Sequence, residues 1–93
     1  MNWSELLEKA WRLIATDGAV AYGKEMLNQA LEEGAIETLL ISADLLRDDE
    51  FWGGFAKKLE VIGANLIQCS TDHDAGQQLL GMGGAIALLR FRM

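Results

Sequence analysis

Apolar residues follow two different spacings along the chain, and the spacing changes from one segment to the next. In residues 1–14 they recur every three or four positions, as on one face of a helix. The members of this stripe are Trp3, Leu6, Leu7, Ala10, Trp11 and Ile14. Asn2 and Glu5 have the spacing of a helix N-cap and its supporting carboxylate. Gly18 and Gly23 then bracket a short β-prone segment, residues 19–22.

The middle of the chain predicts a helix followed by a buried strand. Residues 24–33 have high helix propensity, and Gly34 stands where a helix stop belongs. In the next segment, "AIETLLIS" (35–42), three consecutive apolar residues at 39–41 are typical of a strand buried on both faces. The segment after it, "ADLLRDDE" (43–50), predicts a polar connection.

A second long helix is predicted to end at Gly63, because apolar residues recur at helical spacing before it. They are Phe51, Phe55, Leu59 and Ile62. Each glycine of the pair Gly53-Gly54 costs a helix about 1 kcal/mol relative to alanine. Two starts therefore stay open for this helix: at Phe51, or after the glycine pair with Phe51 and Trp52 on a loop.

The last part of the chain predicts a strand, a short helix, a glycine turn and a final strand. These segments are "NLIQCS" (65–70), "TDHDAGQQLLG" (71–81), "GMGG" (81–84) and "AIALLRF" (85–91). Helices and strands thus alternate along the chain. This alternation predicts one α/β domain spanning residues 1–93, with helices covering a central sheet.

Charge and cysteine content narrow the classes of function. Eight basic residues face 14 acidic ones, a net charge of −6, which disfavours nucleic-acid binding and fits protein partners better. The single cysteine indicates a reducing compartment such as the cytoplasm. The sequence holds no apolar run of the roughly 18 residues that a membrane span needs.

The segment "CSTDHDAG" (69–76) brings a thiol, an imidazole and carboxylates close together in sequence. A nucleophilic Cys69 would need His73 as a base within hydrogen-bonding reach and a third group to orient that base. Zinc would need about four ligands, and one cysteine with one histidine supplies half of them. Thr71 and Asp74 instead have the spacing of a capping box. We therefore expect a helix start here, without catalytic residues, metal or cofactor.

Three further motifs have simple structural interpretations. "GMGG" lies after a predicted helix and before a strand, which is the reverse of a phosphate-binding loop. The acidic run 48–50 suits the N-terminus of a helix. Trp52 leaves two alternatives open: a loop residue folded back on the body, or an exposed anchor for a partner.

The string "AYGKEMLNQALEEGAIETLLIS", followed later by "STDHDAGQQLLGMGGAIALLRF", resembles the C-terminal domain of pelota-type ribosome-rescue factors. It also resembles the related class-1 translation termination factors. The short connection after "TLLIS", where release factors insert a small subdomain, favours the pelota type, as does His73. The short C-terminus resembles archaeal members. Arg92 departs from pelota, which often has proline there, and is more typical of the release factor.

This resemblance implies a three-layer α/β/α sandwich with a small mixed sheet, like that of the kink-turn-binding ribosomal proteins. It implies a non-enzymatic docking domain that binds an elongation-factor-type translational GTPase, a ribosome-recycling ABC-type ATPase, or both, and reaches the ribosome through them. The chain would then be an excised domain or a standalone adaptor.

Two alternative functions follow from the same resemblance. One is a class-1 release factor paralogue. The other is a kink-turn RNA-binding module, whose signature keeps an asparagine and a glutamate after the glycine that opens the second helix. Here Glu25 is kept but Lys24 stands where asparagine would be. With the acidic net charge, this makes direct RNA binding the minority interpretation.

Five residues are candidates for contacting a protein partner: Trp52, Phe55, Leu89, Arg90 and Phe91. The last three end the final predicted strand. Packing of Leu89 and Phe91 within the core is the alternative for those two side chains. We expect Arg90 to point outward.

Overall fold

Helices and strands alternate along most of the computed structural model, which describes residues 3–70, 72 and 74–91. In chain order they are α1 (Trp3–Ala15), β1 (Val20–Tyr22), α2 (Lys24–Glu32), β2 (Ile36–Ser42), α3 (Ala43–Asp48), α4 (Glu50–Val61), β3 (Asn65–Cys69), α5 (Asp74–Gly81) and β4 (Ala85–Leu89). None of the helices in this described part is long and apolar enough to span a bilayer. The predicted N-cap at Asn2 lies outside the described residues.

The strands form one mixed sheet in the order β1-β4-β2-β3. Strand β4 pairs antiparallel with both β1 and β2, whereas β2 and β3 are parallel. Parallel neighbours need a crossover between them, and α3 and α4 provide it. The small mixed sheet confirms the predicted α/β fold class.

Both faces of the two central strands, β2 and β4, are buried, and their side chains alternate between two separate apolar clusters. In β4, Ala85, Ala87 and Leu89 pack towards α2 and α4, while Ile86 and Leu88 pack towards α1 and α5. Helices therefore cover the sheet on both sides. This arrangement explains why β4 carries apolar residues at every position rather than at alternate ones.

A β-bulge at the start of β2 changes which face its side chains take. Ile36 pairs with Leu89 and Thr38 pairs with Leu88, so Glu37 is the extra residue. Ile36 consequently packs in the same cluster as Leu39, although an odd number of positions separates them. The bulge lies where β4 ends, next to the candidate surface described below.

The structure corrects the prediction of a polar connection for residues 43–50: residues 43–48 form helix α3, and α4 begins at Glu50. Two residues of α3, Leu45 and Leu46, are half-buried against the main cluster. The guanidinium of Arg47 lies 3.2 Å from the Asp44 carboxylate one turn earlier, a pairing that suits a helix. The segment is six residues long, too short for periodicity to reveal.

Helix α4 begins at Glu50 and continues through the glycine pair, so the alternative with Phe51 and Trp52 on a loop is wrong. Asp49 caps the helix, since its carboxylate accepts a hydrogen bond from the Phe51 amide at 3.0 Å. The helix also buries Trp52, Phe55 and Leu59. Fully burying side chains of this size is worth about 1.5–3 kcal/mol each, which exceeds the cost of two glycines.

Replacing either glycine of the pair in α4 by alanine should stabilise the fold. A Cβ at Gly53 or Gly54 meets nothing within 4 Å, and neither residue has a positive φ. We expect Gly53→Ala and Gly54→Ala each to raise the free energy of unfolding by about 0.5–1 kcal/mol in urea denaturation.

Gly34→Ala is the matched control, because its site is equally open but its φ is +65°. It should lower the free energy of unfolding by about 1 kcal/mol. Equal effects of all three substitutions would contradict a continuous helix through Gly53-Gly54.

Candidate docking surface

Three of the five predicted partner contacts lie inside the core. Trp52, Phe55 and Leu89 are 2%, 3% and 8% exposed. Trp52 and Phe55 pack edge to face with ring centroids 5.4 Å apart and join α4 to the sheet. Their side chains are therefore inaccessible to a partner in this structure. The prediction is corrected accordingly, and the surface reduces to Arg90 and Phe91.

Arg90 connects three parts of the fold through its guanidinium. Its Nε donates to the carbonyl of Ile36 at 3.2 Å, at the start of β2. Its Nη2 donates to the carbonyls of Ile62 at 3.1 Å and Gly63 at 3.2 Å, just beyond α4. Carbonyls at a helix end lack intrahelical donors, and a cation there suits the helix dipole. Although Arg90 is exposed as expected, its polar atoms hold the end of α4 against the sheet.

A groove with a volume of about 300 Å³ lies between α2 and α4, beside the Arg90 hydrogen bonds. It is lined by Asn28, Leu31, Glu32, Lys58, Val61 and Ile62. Val61 is 86% exposed, and Phe91, which follows Arg90, is 51% exposed. We call the groove together with Arg90 and Phe91 the Val61 surface. It offers apolar side chains to solvent where the main chain of β4 leaves the core.

Sequence reasoning missed Val61 although a signal was present. The apolar stripe of this helix runs through Phe55, Leu59 and Ile62, and Val61 lies off that stripe. An apolar, β-branched residue on the polar side of a helix, two positions before its glycine stop, is unexpected for a solvated face.

A second group of exposed side chains lies where α2 and α4 begin. The Lys24 ammonium is 3.5 Å from the Asp49 carboxylate and 5.0 Å from the centre of the Phe51 ring. Tyr22, Met26 and Phe51 are each about 40% exposed. We call these five residues the Phe51 face. Because Lys24 pairs with a carboxylate here, its charge is partly neutralised, which disfavours the RNA-binding alternative at this position.

The Cys69 thiol is fully buried in the cluster under α1 and α5. Burial raises the pKa of Cys69 to about 11, so the thiol is protonated at neutral pH, unlike an activated nucleophile. The Ser70 hydroxyl accepts a hydrogen bond from the Asp72 amide at 3.1 Å and shapes the turn after β3. The expected capping by Thr71 and the candidate base His73 lie outside the described residues.

The remaining motifs have structural roles. "GMGG" is the predicted helix-to-strand turn: the Gly84 amide bonds the Leu79 carbonyl at 2.9 Å, and Gly83 and Gly84 have φ of 106° and 88°. In the acidic run 48–50, Asp48 pairs with Arg47 at 3.0 Å and Asp49 caps α4. Within residues 3–70, 72 and 74–91, no group of three His, Cys, Asp or Glu side chains could hold a metal ion.

The fold and the sequence place the chain in one family. The family model described as eRF1 domain 3 matches residues 1–93, so the chain belongs to the eRF1 domain 3 family. Among its members it is similar to a pelota homolog of Methanoculleus marisnigri, 41% identical over 88 residues, which cover 95% of this chain and 26% of the relative. The predicted resemblance to pelota is thereby confirmed. The chain spans about a quarter of the length of the curated relatives it matches.

Solved structures agree with this assignment. The crystal structure of Archaeoglobus fulgidus Pelota superposes with a TM-score of 0.85 at 34% identity and covers 95% of this chain and 29% of that one. A model of ribosome-bound archaeal Pelota and ABCE1 gives a TM-score of 0.83 at 34% identity, covering 97% of this chain and 26% of that one. The chain thus has the fold of one domain within these larger proteins.

The buried thiol predicts a specific pH dependence of stability. Well below about pH 8.5, the ordinary pKa of a cysteine, the thiol is protonated in both the folded and the unfolded state and contributes no slope. Between about pH 9 and 11 the unfolded thiol ionises while the folded one, with its pKa raised to about 11, does not. The free energy of unfolding should therefore fall with rising pH in this window, by up to about 1.4 kcal/mol per unit from this group.

Cys69→Ala isolates this contribution, since lysine and tyrosine titrate in the same window. The expected result is a shallower decline of the unfolding free energy between pH 9 and 11 than in the wild type. Parallel declines in the two proteins would contradict the raised pKa.

Proposed function

We propose that this domain is a non-enzymatic docking module of the ribosome-rescue machinery. Its partners are a recycling ATPase of the ABCE1 kind and an elongation-factor-type translational GTPase, and it contacts the ribosome through them, in the cytoplasm. The observation that carries the proposal is the exposed apolar Val61 beside a groove, in a chain of this family. Exposed apolar patches of this kind mark sites of protein interaction.

The similarity to pelota supports a role in rescue. The archaeal Pelota that is 34% identical to this chain over the matched region is ribosome-bound, and ABCE1 is part of the same model. The proposal of a GTPase partner is based on the sequence segments that resemble pelota-type factors. The buried Cys69, with its raised pKa, supports a docking role over thiol chemistry.

The two alternative functions have weaker support. The release factor alternative is supported by the description of the matching family, eRF1 domain 3, and by Arg92. The 41% identity to a pelota homolog favours the rescue role instead. A kink-turn RNA-binding module would need a positive face. Lys24 is paired with Asp49, and the chain carries a net charge of −6.

Binding measurements on the 93-residue chain test the docking proposal. The purified domain is titrated with a purified archaeal ABC-type recycling ATPase, and separately with the translational GTPase, by isothermal calorimetry. We expect binding to at least one of them. Val61→Arg should weaken that affinity about tenfold or more, because it places a charge in the apolar contact.

Leu80→Arg is the matched control, since Leu80 is also an exposed apolar helix residue, at 48%, but lies in α5 on the other side of the sheet. It should leave the affinity unchanged. If the wild-type domain binds neither protein, the docking proposal fails. If both substitutions weaken binding equally, the Val61 surface is the wrong site.

A further inference from the structure

We infer that the Phe51 face binds an arginine-bearing, cationic segment of a protein partner. The inference rests on the proposed docking role and adds a second contact site with its own chemistry. It uses the end of α2 and α4 opposite to the Val61 surface.

The structure already holds a cation in this position. The Lys24 ammonium lies 5.0 Å from the centre of the Phe51 ring and 3.5 Å from an Asp49 oxygen. The Lys24 side chain is 60% exposed and the Asp49 side chain 34% exposed, so the pair is open to competition from solvent. Exposed ion pairs of this kind contribute less than about 1 kcal/mol. A better cation can therefore displace the lysine at little cost.

The Phe51 ring is packed on one side against two other aromatic rings. It packs edge to face on the buried Trp52 ring with centroids 4.9 Å apart, and lies 6.0 Å from the ring of Phe55. The Asp49 cap fixes the Phe51 amide at 3.0 Å. Yet 40% of the residue remains exposed, as do similar fractions of Tyr22 and Met26 beside the start of α2. A ring fixed by its neighbours and open on one side binds a partner with little loss of conformational entropy.

Charge complementarity decides which occupant fits. The segments 24–25 and 44–50, which contain the Lys24–Asp49 pair of this face, carry five carboxylates and two cations, and Arg47 is paired with two of those carboxylates, Asp44 and Asp48. The carboxylates are Glu25, Asp44, Asp48, Asp49 and Glu50. A nucleic acid would be repelled, and so would a second copy of this chain, whose net charge is also −6. A basic peptide segment is attracted.

Arginine suits this face better than lysine. Its planar guanidinium stacks on an aromatic ring and offers several donors to neighbouring carboxylates at the same time. Lysine presents a single compact charge, and the contact that Lys24 makes shows the weaker geometry, with 3.5 Å between nitrogen and oxygen.

The test is a titration of the ¹⁵N-labelled domain with the synthetic peptide (Gly-Arg-Leu)₃, followed by NMR. Amide shifts should concentrate at Lys24, Asp49 and Phe51. Phe51→Leu keeps apolar packing but removes the ring, and should weaken binding about two- to fivefold. Leu80→Ala is the control: it truncates an exposed apolar side chain in α5, on the other side of the sheet, and should leave the affinity unchanged.

The same peptide with citrulline in place of arginine controls for charge, because citrulline is neutral and nearly isosteric. It should produce no shifts at Lys24 and Phe51. Equal shifts with citrulline, shifts spread over all acidic residues, or equal losses in Phe51→Leu and Leu80→Ala would overturn the inference. This titration uses no translation factor, so its outcome is independent of whether the domain binds the ATPase or the GTPase.

Discussion

Burial on both faces of strands β2 and β4 is the constraint on which the rest of the structure depends. Leu39, Leu40 and Ile41 are consecutive and point to alternate sides, and all are buried. Because neither face of these strands reaches water, helices have to cover both, which fixes the three layers. The parallel pairing of β2 with β3 requires a crossover, and the chain uses α3 and α4 for it. The faces of β2 and β4 are therefore inaccessible to a partner.

The two candidate surfaces lie at opposite ends of one helix pair. Lys24 meets Asp49 where α2 and α4 begin, and residues near the ends of both helices line the groove, so the helices run side by side in the same direction. Helix α2 has nine residues and is about 13 Å long; Lys24 is its first residue, whereas the groove is lined from Asn28 onwards. At the groove end, the hydrogen bonds of Arg90 join the C-terminal end of α4 to the start of β2. Its hydrogen bonds therefore set the shape of the Val61 surface.

Periodicity predicted the alternating fold because long segments bury one stripe or both faces. Periodicity did not predict α3, because that helix is short. It left the start of α4 open, because it cannot compare the cost of two glycines in a helix with the stabilisation gained by burying Trp52. Three of the candidate partner contacts, Trp52, Phe55 and Leu89, pack in the core, which for Leu89 is the alternative that the sequence left open. Periodicity could not predict the role of Arg90, because the carbonyls that accept its hydrogen bonds, those of Ile36 and Ile62, lie 54 and 28 positions away in the sequence. Such long-range partners leave no local pattern.

Amide hydrogen exchange in Arg90→Met tests most directly whether this guanidinium holds the end of α4. The amides of Gly63 and Ala64 bond the carbonyls of Glu60 and Leu59 at 3.1 and 3.0 Å, and report on that end. Losing the charged hydrogen bonds should speed their exchange about tenfold, equivalent to about 1.4 kcal/mol, while amides within β2 keep their protection. Unchanged exchange at Gly63 and Ala64, or an equal loss of protection in β2, would contradict the account.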